Sequence, residues 1–465
     1  MAMVARQDGS WADVIGEGRL PRFVLICMGV WITAADSLVT ATIMPSVGAD
    51  LGGYAYFGWA TAGFLLGSVM AGASSGLLAL RFGLRRATSA AALLCAAGCV
   101  LSAMGPDMAS FLFGRVLQGL GGGWVVGFCS VAIGLLFPDR VLPRVYAAIT
   151  GIWGVASLLG PLVGGIFADL GIWRWAFWFF AIQAVGVAWA AHVMLPKGEQ
   201  EGDGAARLAW PQLGLIAAGV AAIGLADIAD DFARSLLMTA GGVALLLMMV
   251  WTDGRMAVRL LPRGSGSMMS IPGAGFATMF LMTVASMGFA IYGPAILQTL
   301  AGLSALTAGY VVAVESVAWT VLGLAVAHLT GAWPVRMIRL GAVVATLGVL
   351  LSAVAFPAAS VAGVVAAGVL LGGGFGLSWA FMSQRILASL EGEERAIGAA
   401  GMTTVRLTGS AVGAAAAGAI ANIAGFSQGL SEASARETGL WVFALILPVA
   451  LAGVWAAFRL TAPRS

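Results

Sequence analysis

Long hydrophobic runs alternate with short polar breaks along almost the whole chain. Runs near 23–47, 55–80, 87–105, 108–136, 145–170 and 172–194 come first, followed by a polar stretch, KGEQEGDGAAR, at 197–207. Two more runs lie near 210–228 and 233–251, and a second charged stretch extends from Asp253 to Arg263. The remaining runs occupy 272–300, 305–328, 336–355, 358–384, 397–424 and 438–458. A helix crosses the hydrocarbon core of a bilayer with about 20 apolar residues, and each run is close to that length or longer. The pattern predicts an all-α polytopic membrane protein with fourteen spans grouped six, two, six.

Composition agrees. The 465 residues are 60% hydrophobic and 10% charged, against about 25% charged in ordinary soluble domains. A soluble protein this apolar would turn large apolar patches to water and aggregate. A lipid-facing surface removes that penalty. Sixty-six glycines fit the same setting, because small residues let transmembrane helices approach closely. The net charge of +3 is small and scattered, so nucleic acid is not an expected partner. Residues 1–22 mix acids and bases ahead of the first run, a pattern expected of an uncleaved first helix rather than a signal peptide.

Arginine and lysine placement predicts orientation, since cytoplasmic segments of membrane proteins carry the excess of both. With the N-terminus inside, 19 of the 24 basic residues fall in cytoplasmic segments. Only Arg174, Arg234 and Arg436 fall in outer loops, and Arg115 and Arg406 lie within spans. Both termini are therefore expected in the cytoplasm. A miscount by one span would scramble this asymmetry.

The residues do not suggest an enzyme. No connection between runs is long enough to fold alone, and neither a phosphate-cradling lysine loop nor a Ser-His-Asp set is present. The GGG at 121–123 lies inside a run, where close helix contact explains it better than nucleotide binding. Cys27, Cys95, Cys99 and Cys129 all fall within runs and read as small packing residues. No disulfide framework, metal site or cofactor is expected from them. His192 and His328 sit near predicted helix ends and read as bystanders.

Several motifs carry a resemblance. GLLALRFGLRR at 76–86 resembles the loop pattern of the major facilitator superfamily. Gly76, Arg81, Gly83, Arg85 and Arg86 fit it, while Leu80 stands where the pattern has an aspartate that latches the cytoplasmic side. RVLQGLGGG at 115–123 resembles the family's arginine-glutamine-glycine motif, with Arg115 and Gln118 on one helix face. GPLVGG at 160–165 is similar to the motif of the antiporter branch. There Pro161 interrupts the backbone ladder, and Gly160, Gly164 and Gly165 permit close packing. AADSLVTATIMP at 34–45 resembles the first span of fourteen-span drug:proton antiporters through Asp36 and Pro45, with Leu38 and Ala41 in place of the expected threonine and asparagine. WRWAF at 173–177, YGPAILQTLAGLSALTAGY at 292–310 and GMTTVRLTGSAVGAA at 401–415 also resemble that branch.

The resemblance implies two six-helix bundles, 1–195 and 269–465, joined by a linker, 196–268, that holds two extra transmembrane helices. The bundles would be related by pseudo-symmetry, each built from inverted three-helix repeats, with the substrate site between them at the bilayer midplane. It also implies a monomeric carrier in the bacterial inner membrane, whose partners are a small-molecule substrate, protons and membrane lipids.

Charges inside spans carry the candidate chemistry. Insertion scales put one at roughly 2.5–3.5 kcal/mol at a helix centre, so such a charge marks a pathway or a pair. Asp36 and Glu315 are the candidate proton acceptors, with Arg115 as partner of Asp36. The bland alternatives are an ion pair that merely pins two helices, and a glutamate kept protonated as a hydrogen-bonder. Thr33, Asp36 and Thr40 recur at helical spacing as a polar stripe suited to a cavity wall. Trp319, one turn beyond Glu315, is a candidate stacking wall, and Gln118, Tyr292, Gln298 and Arg406 are further candidates for substrate contact. Asp107 reads as a helix N-cap, and Asp169, Asp227, Asp230 and Asp231 as solvated capping groups at outer helix ends.

The expected activity is proton-coupled export of amphipathic small molecules, cationic ones included, by alternating access. A dedicated exporter of one metabolite, siderophore or lipid, or a non-transporting membrane sensor or scaffold, are the alternatives.

Overall fold

Capping groups and glycines, rather than the edges of the apolar runs, set where the helices begin and end. The computed structural model describes residues 11–16, 18–196, 208–226 and 232–462. A short α1 (Trp11–Ile15) precedes α2 (Leu20–Leu51), α3 (Trp59–Phe82), α4 (Leu84–Met104), α5 (Met108–Leu136), α6 (Leu142–Asp169) and α7 (Arg174–Met194). Next come α8 (Trp210–Leu225) and α9 (Phe232–Asp253). The second half is α10 (Ile271–Leu300), α11 (Ala305–Val326), α12 (Trp333–Ala355), α13 (Val361–Ala388), α14 (Gly392–Ile423) and α15 (Glu432–Leu460). The fourteen long helices follow the fourteen apolar runs in order.

Twelve of them are long and apolar enough to cross a bilayer by length and composition. The other two fall short for local reasons. Helix α8 has 16 residues, and α14 carries Glu393, Glu394, Arg395 and Arg406 along its 32 residues. Polar residues extend several helices past their apolar cores. Helix α15 starts at Glu432 because Ser431 and Ser434 form a capping box, which satisfies free N–H groups of its first turn. Asp107 caps α5 in the same way, accepting from the Ser110 N–H at 2.8 Å. Helix α1, which the hydropathy pattern does not predict, is tied to α2 by Arg19, whose guanidinium donates to the Asp13 carbonyl at 3.0 Å. The 197–207 stretch and Asp227, Asp230 and Asp231 lie outside the described residues.

Helix pairing repeats between the halves. In the first, α3 and α4 lie along α5, α4 along α7, and α2 along α6. In the second, α11 and α12 lie along α13, α12 along α15, and α10 along α14. Matching glycines explain the repetition. A Cβ at Gly119 of α5 would stand 2.0 Å from the Phe64 carbonyl oxygen, and one at Gly372 of α13 would stand 1.8 Å from that of Glu315. Only glycine lets these backbones touch, which is how helices pack where lipid supplies no hydrophobic drive.

The halves meet along α6–α11 and α3–α14, and α8 lies over α3 and α14 with α9 outside it. The apolar window of α9 is only 17% buried, against 72% for α10, so the extra pair sits on the periphery. Trp59 of α3 donates its indole N–H to the Gly224 carbonyl of α8 at 3.2 Å.

The two ends of the bundle differ. The turns α3–α4, α5–α6, α9–α10, α11–α12 and α13–α14 define an arginine-rich end, and the turns α2–α3, α4–α5, α6–α7, α10–α11, α12–α13 and α14–α15 define the opposite end. At the opposite end the halves are sealed together. Phe57 stacks on Tyr292 at 5.4 Å, and Phe426 stands edge-on to both, at 5.0 Å and 5.1 Å. The Asn422 amide donates to the Ala55 carbonyl at 2.6 Å.

Candidate functional site

A cavity of about 1160 Å³ lies between the halves, walled by α2, α3, α5, α6, α10, α11 and α14. Its wall runs from Arg115, Pro294 and Glu315 in the interior to Gly76, Ser130, Arg259 and Glu393 at the arginine-rich end. It therefore opens at that end, below the aromatic seal. Helix α13 contributes nothing to the wall, because its glycines draw α11 across its face.

On the first-half side, three buried polar side chains close on one another. Arg115 of α5 donates from Nη1 to Asp36 Oδ2 of α2 at 2.7 Å and to Gln118 Oε1 at 2.8 Å. Gln118 in turn donates from Nε2 to Asp36 Oδ1 at 2.7 Å and to Cys99 Sγ at 3.1 Å. Arg115 Nε is held by the Ala60 carbonyl at 3.1 Å, and its guanidinium lies 4.6 Å from the Phe64 ring centroid. Asp36, Arg115 and Gln118 are each no more than 2% exposed. Burying an ion pair is sustained only with such geometry and extra hydrogen bonds. Arg115 alone of the three reaches the cavity wall.

The second-half side is different. Glu315 of α11 lines the cavity and makes no hydrogen bond or ion pair among the described residues. Arg406 of α14 also lines it, and its guanidinium lies 5.9 Å from the ring centroid of Trp153 of α6. Arg259 and Glu393 stand at the mouth, where Arg259 is bound to Glu394 at 2.5 Å and 3.1 Å. That bond holds the Arg259 guanidinium above its ordinary pKa. The segment carrying Arg259 is folded against Asp253, whose carboxylate accepts from the Leu260 and Leu261 N–H groups at 2.7 Å and 3.0 Å.

The sequence candidates fall into two groups. Thr33, Arg115, Glu315 and Arg406 line the cavity. Asp36, Thr40, Gln118, Tyr292, Gln298 and Trp319 are not part of its wall. The Thr40 hydroxyl is buried and unpartnered among the described residues, so of the stripe Thr33, Asp36 and Thr40 only Thr33 lies on the cavity wall. Gln118 is spent on the ion pair. Tyr292 belongs to the outer aromatic seal, and the Gln298 amide nitrogen is buried without a partner. Trp319 turns back onto α13, stacking on Phe375 at 4.8 Å, where Gly376 lets the α11 backbone approach through the Trp319 carbonyl.

The motif residues have distinct places. Gly83 turns α3 into α4 with φ +76°, a conformation glycine adopts freely. Leu80 is 58% exposed, and Arg81, Arg85 and Arg86 form no ion pair among the described residues. Gly76 lines the cavity mouth. Gly160 packs on Leu38 and Gly164 on Val39 and Thr42, while a Cβ at Gly165 would stand 2.4 Å from Leu306 Cα of the other half. Pro161 meets Gly309 at that same interface. His192 and His328 are exposed. Cys99 exceeds the packing role expected of it, because it touches the Gln118 amide. Its four-residue spacing from Cys95 offered no sign of that contact.

The model of the Major Facilitator Superfamily matches residues 26–341. The chain belongs to that superfamily. It is 30% identical over 99% of its length to a probable multidrug-efflux transporter of Mycobacterium tuberculosis (strain ATCC 25618 / H37Rv), covering 98% of that protein. Over 35% of its length it is 31% identical to the multidrug transporter protein MdtP of Bacillus subtilis (strain 168), covering 31% of that protein. Its fold is that of a POT family transporter solved in complex with 5-aminolevulinic acid, with a TM-score of 0.66 at 14% identity over 98% of this chain and 99% of that one. A D-xylose-proton symporter shares the fold as well, with a TM-score of 0.61 at 18% identity over 92% and 97%. The chain is thus a multi-pass major facilitator transporter.

Proposed function

We propose that the protein exports amphipathic, preferentially cationic small molecules across a bacterial cytoplasmic membrane in exchange for protons. The observation that carries this reading is Glu315, a carboxyl group on the wall of the inter-half cavity with no hydrogen-bond or ion-pair partner among the described residues. An ionisable group at membrane depth is costly, and a water-filled cavity with a cationic occupant relieves that cost. The cavity of about 1160 Å³ exceeds the range of roughly 300–1,000 Å³ typical of dedicated ligand pockets, which favours varied substrates. The name of the mycobacterial relative, a probable multidrug-efflux transporter, supports the same reading.

Asp36 is the proposed coupling group. With both termini in the cytoplasm, as the basic residues imply, the open end is the inner one and substrate enters from the cytoplasm. In the alternate state Asp36 takes a proton arriving from outside. The neutral acid no longer holds Arg115 as an ion, and the freed guanidinium shifts the balance between the two states. Return to the inward-open state restores the pair and delivers the proton inside.

Proteoliposomes loaded with a pH-sensitive dye test this directly. A lipophilic cation should drive proton movement through the wild type, and Asp36→Asn should abolish it while leaving cation binding in place. Glu315→Gln should weaken cation binding. Undiminished coupled exchange by both variants overturns the reading. Resistance to several unrelated toxic compounds in a hypersensitive strain separates a broad exporter from one dedicated to a single metabolite, siderophore or lipid.

A further inference from the structure

Among the described residues, five charged ones line the cavity: Arg115, Arg259, Glu315, Glu393 and Arg406. Arg115 is neutralised by Asp36 at 2.7 Å and Arg259 by Glu394 at 2.5 Å. Glu393 is exposed at the mouth, in the first turn of α14. Glu315 and Arg406 remain. They belong to the same half and face the same cavity, yet no nitrogen of Arg406 comes within 4.0 Å of a Glu315 oxygen, since no ion pair joins them among the described residues.

Two opposite charges that share an apolar-walled space would gain by closing on each other. Here each is held apart on a separate helix. The backbone of α11 at Glu315 is fixed against Gly372, and the Arg406 guanidinium lies beside the Trp153 ring of the opposite half. The same wall carries Met287, Ile291 and Pro294 of α10 and Val312 of α11, together with the hydroxyls of Ser316, Thr403, Thr404 and Ser410. The arrangement is a fixed positive pole and a fixed negative pole on one greasy surface. A ligand with a cationic group alone would satisfy Glu315 and leave Arg406 on the cavity wall without a counter-charge.

We propose that the cavity selects zwitterionic amphipaths, whose cationic group pairs with Glu315 and whose anionic group pairs with Arg406. This rests on the export reading above and narrows its substrate class from cations to molecules that carry both charges. Trp153, on the facing half, covers the anion-binding guanidinium, so a bound anionic group touches both halves at once.

A matched octyl series tests the inference: octyltrimethylammonium, octanesulfonate, and the octyl sulfobetaine that joins both head groups. Binding is measured by calorimetry on the full chain in lipid nanodiscs. The sulfobetaine should bind about tenfold or more tightly than either singly charged probe, the gain expected of one added charge-assisted hydrogen bond. Arg406→Gln should remove that advantage over octyltrimethylammonium and leave octyltrimethylammonium itself bound within about twofold of the wild type. Retained cation binding also shows that the variant is folded. Arg406→Lys should keep most of the sulfobetaine preference. A wild type that binds sulfobetaine no more tightly than the cation overturns the inference without recourse to any variant, and so does an Arg406→Gln protein with its preference intact. Proton-coupled transport in liposomes keeps the two readings apart. Coupled export of the cation with no zwitterion preference defeats this inference alone, whereas a clear binding preference with no transport of any probe defeats the export reading.

Discussion

The carboxylate of Asp169, the last residue of α6, accepts the backbone N–H of Ala305, the first residue of α11, at 2.9 Å. It also accepts the N–H of Leu306 at 3.4 Å. A side chain of one half thus caps a helix of the other, at the end of the molecule that is closed. Free N–H groups at a helix start need partners, and an N-cap is worth about 1 kcal/mol. Because the two groups must separate when this end opens, that energy is available only in the state described here. Asp169→Ala should therefore favour opening at the sealed end by about fivefold. Spin labels at Leu170 and Thr307, read by pulsed electron resonance, should show a larger long-distance population in the variant. An unchanged distance distribution would mean that the cap does not bias the equilibrium.

Gly165 lies on the same interface and invites a second test. A Cβ there would stand 2.4 Å from Leu306 Cα in the other half, whereas one at Gly160 would stand 2.7 Å from Leu38 Cβ in the same half. Gly165→Val should push the halves apart at the sealed end without loosening either bundle. Gly160→Val should strain the first bundle itself, at about 1–3 kcal/mol for overpacking. Thermal unfolding in detergent should fall for Gly160→Val and hold for Gly165→Val, while the spin-label distances respond to Gly165→Val. Equal loss of unfolding temperature in both variants would contradict the division of roles.

These two glycines illustrate what the chain discloses before it folds. Fourteen spans are legible because lipid imposes a single rule, an apolar run of sufficient length, and local caps merely extend the helices beyond it. The Asp36–Arg115 pair is legible for a related reason: a charge deep in a run must find a partner, and few were on offer. Helix rotation is not written so plainly. Trp319 follows Glu315 by one turn, yet its ring stacks on Phe375 of α13, where Gly372 and Gly376 draw the two backbones together. Tyr292 reads as a cavity aromatic and instead joins Phe57 and Phe426 in the outer seal. Asp169 reads as a solvated cap, and only the approach of the two halves reveals which helix it caps. Which face of a helix looks inward depends on contacts between segments far apart in the chain.

The buried ion pair yields a prediction about stability as distinct from transport. Removing one partner of a buried pair strands the other charge, at about 3–5 kcal/mol, whereas replacing both by apolar residues is often far milder. Asp36→Leu and Arg115→Met should each lower the unfolding temperature sharply. The double variant should be more stable than either single one, though inactive in transport. Unfolding of the four proteins in one detergent completes the cycle. Additive losses in the double variant would show that Asp36 and Arg115 are not coupled.

The paired glycine stripes give the most local prediction. Gly119 and Gly372 hold equivalent places on α5 and α13, and each lets a carbonyl of the adjoining helix, from Phe64 or Glu315, come within 2.0 Å of where a Cβ would be. No rotamer change relieves a clash with backbone, so alanine at either position must separate two helices along their length. In lipid, close approach of backbones is the main source of helix association, and the cost should exceed the upper end of the roughly 1–3 kcal/mol range for overpacking. Gly76, by contrast, has nothing within 4 Å of its Cβ position. Gly119→Ala and Gly372→Ala should accumulate poorly in the membrane and unfold early, while Gly76→Ala should behave as wild type. Because the two stripes are equivalent, the first two variants should lose similar stability. A severe defect at one with normal behaviour at the other would show that the halves do not share one packing scheme.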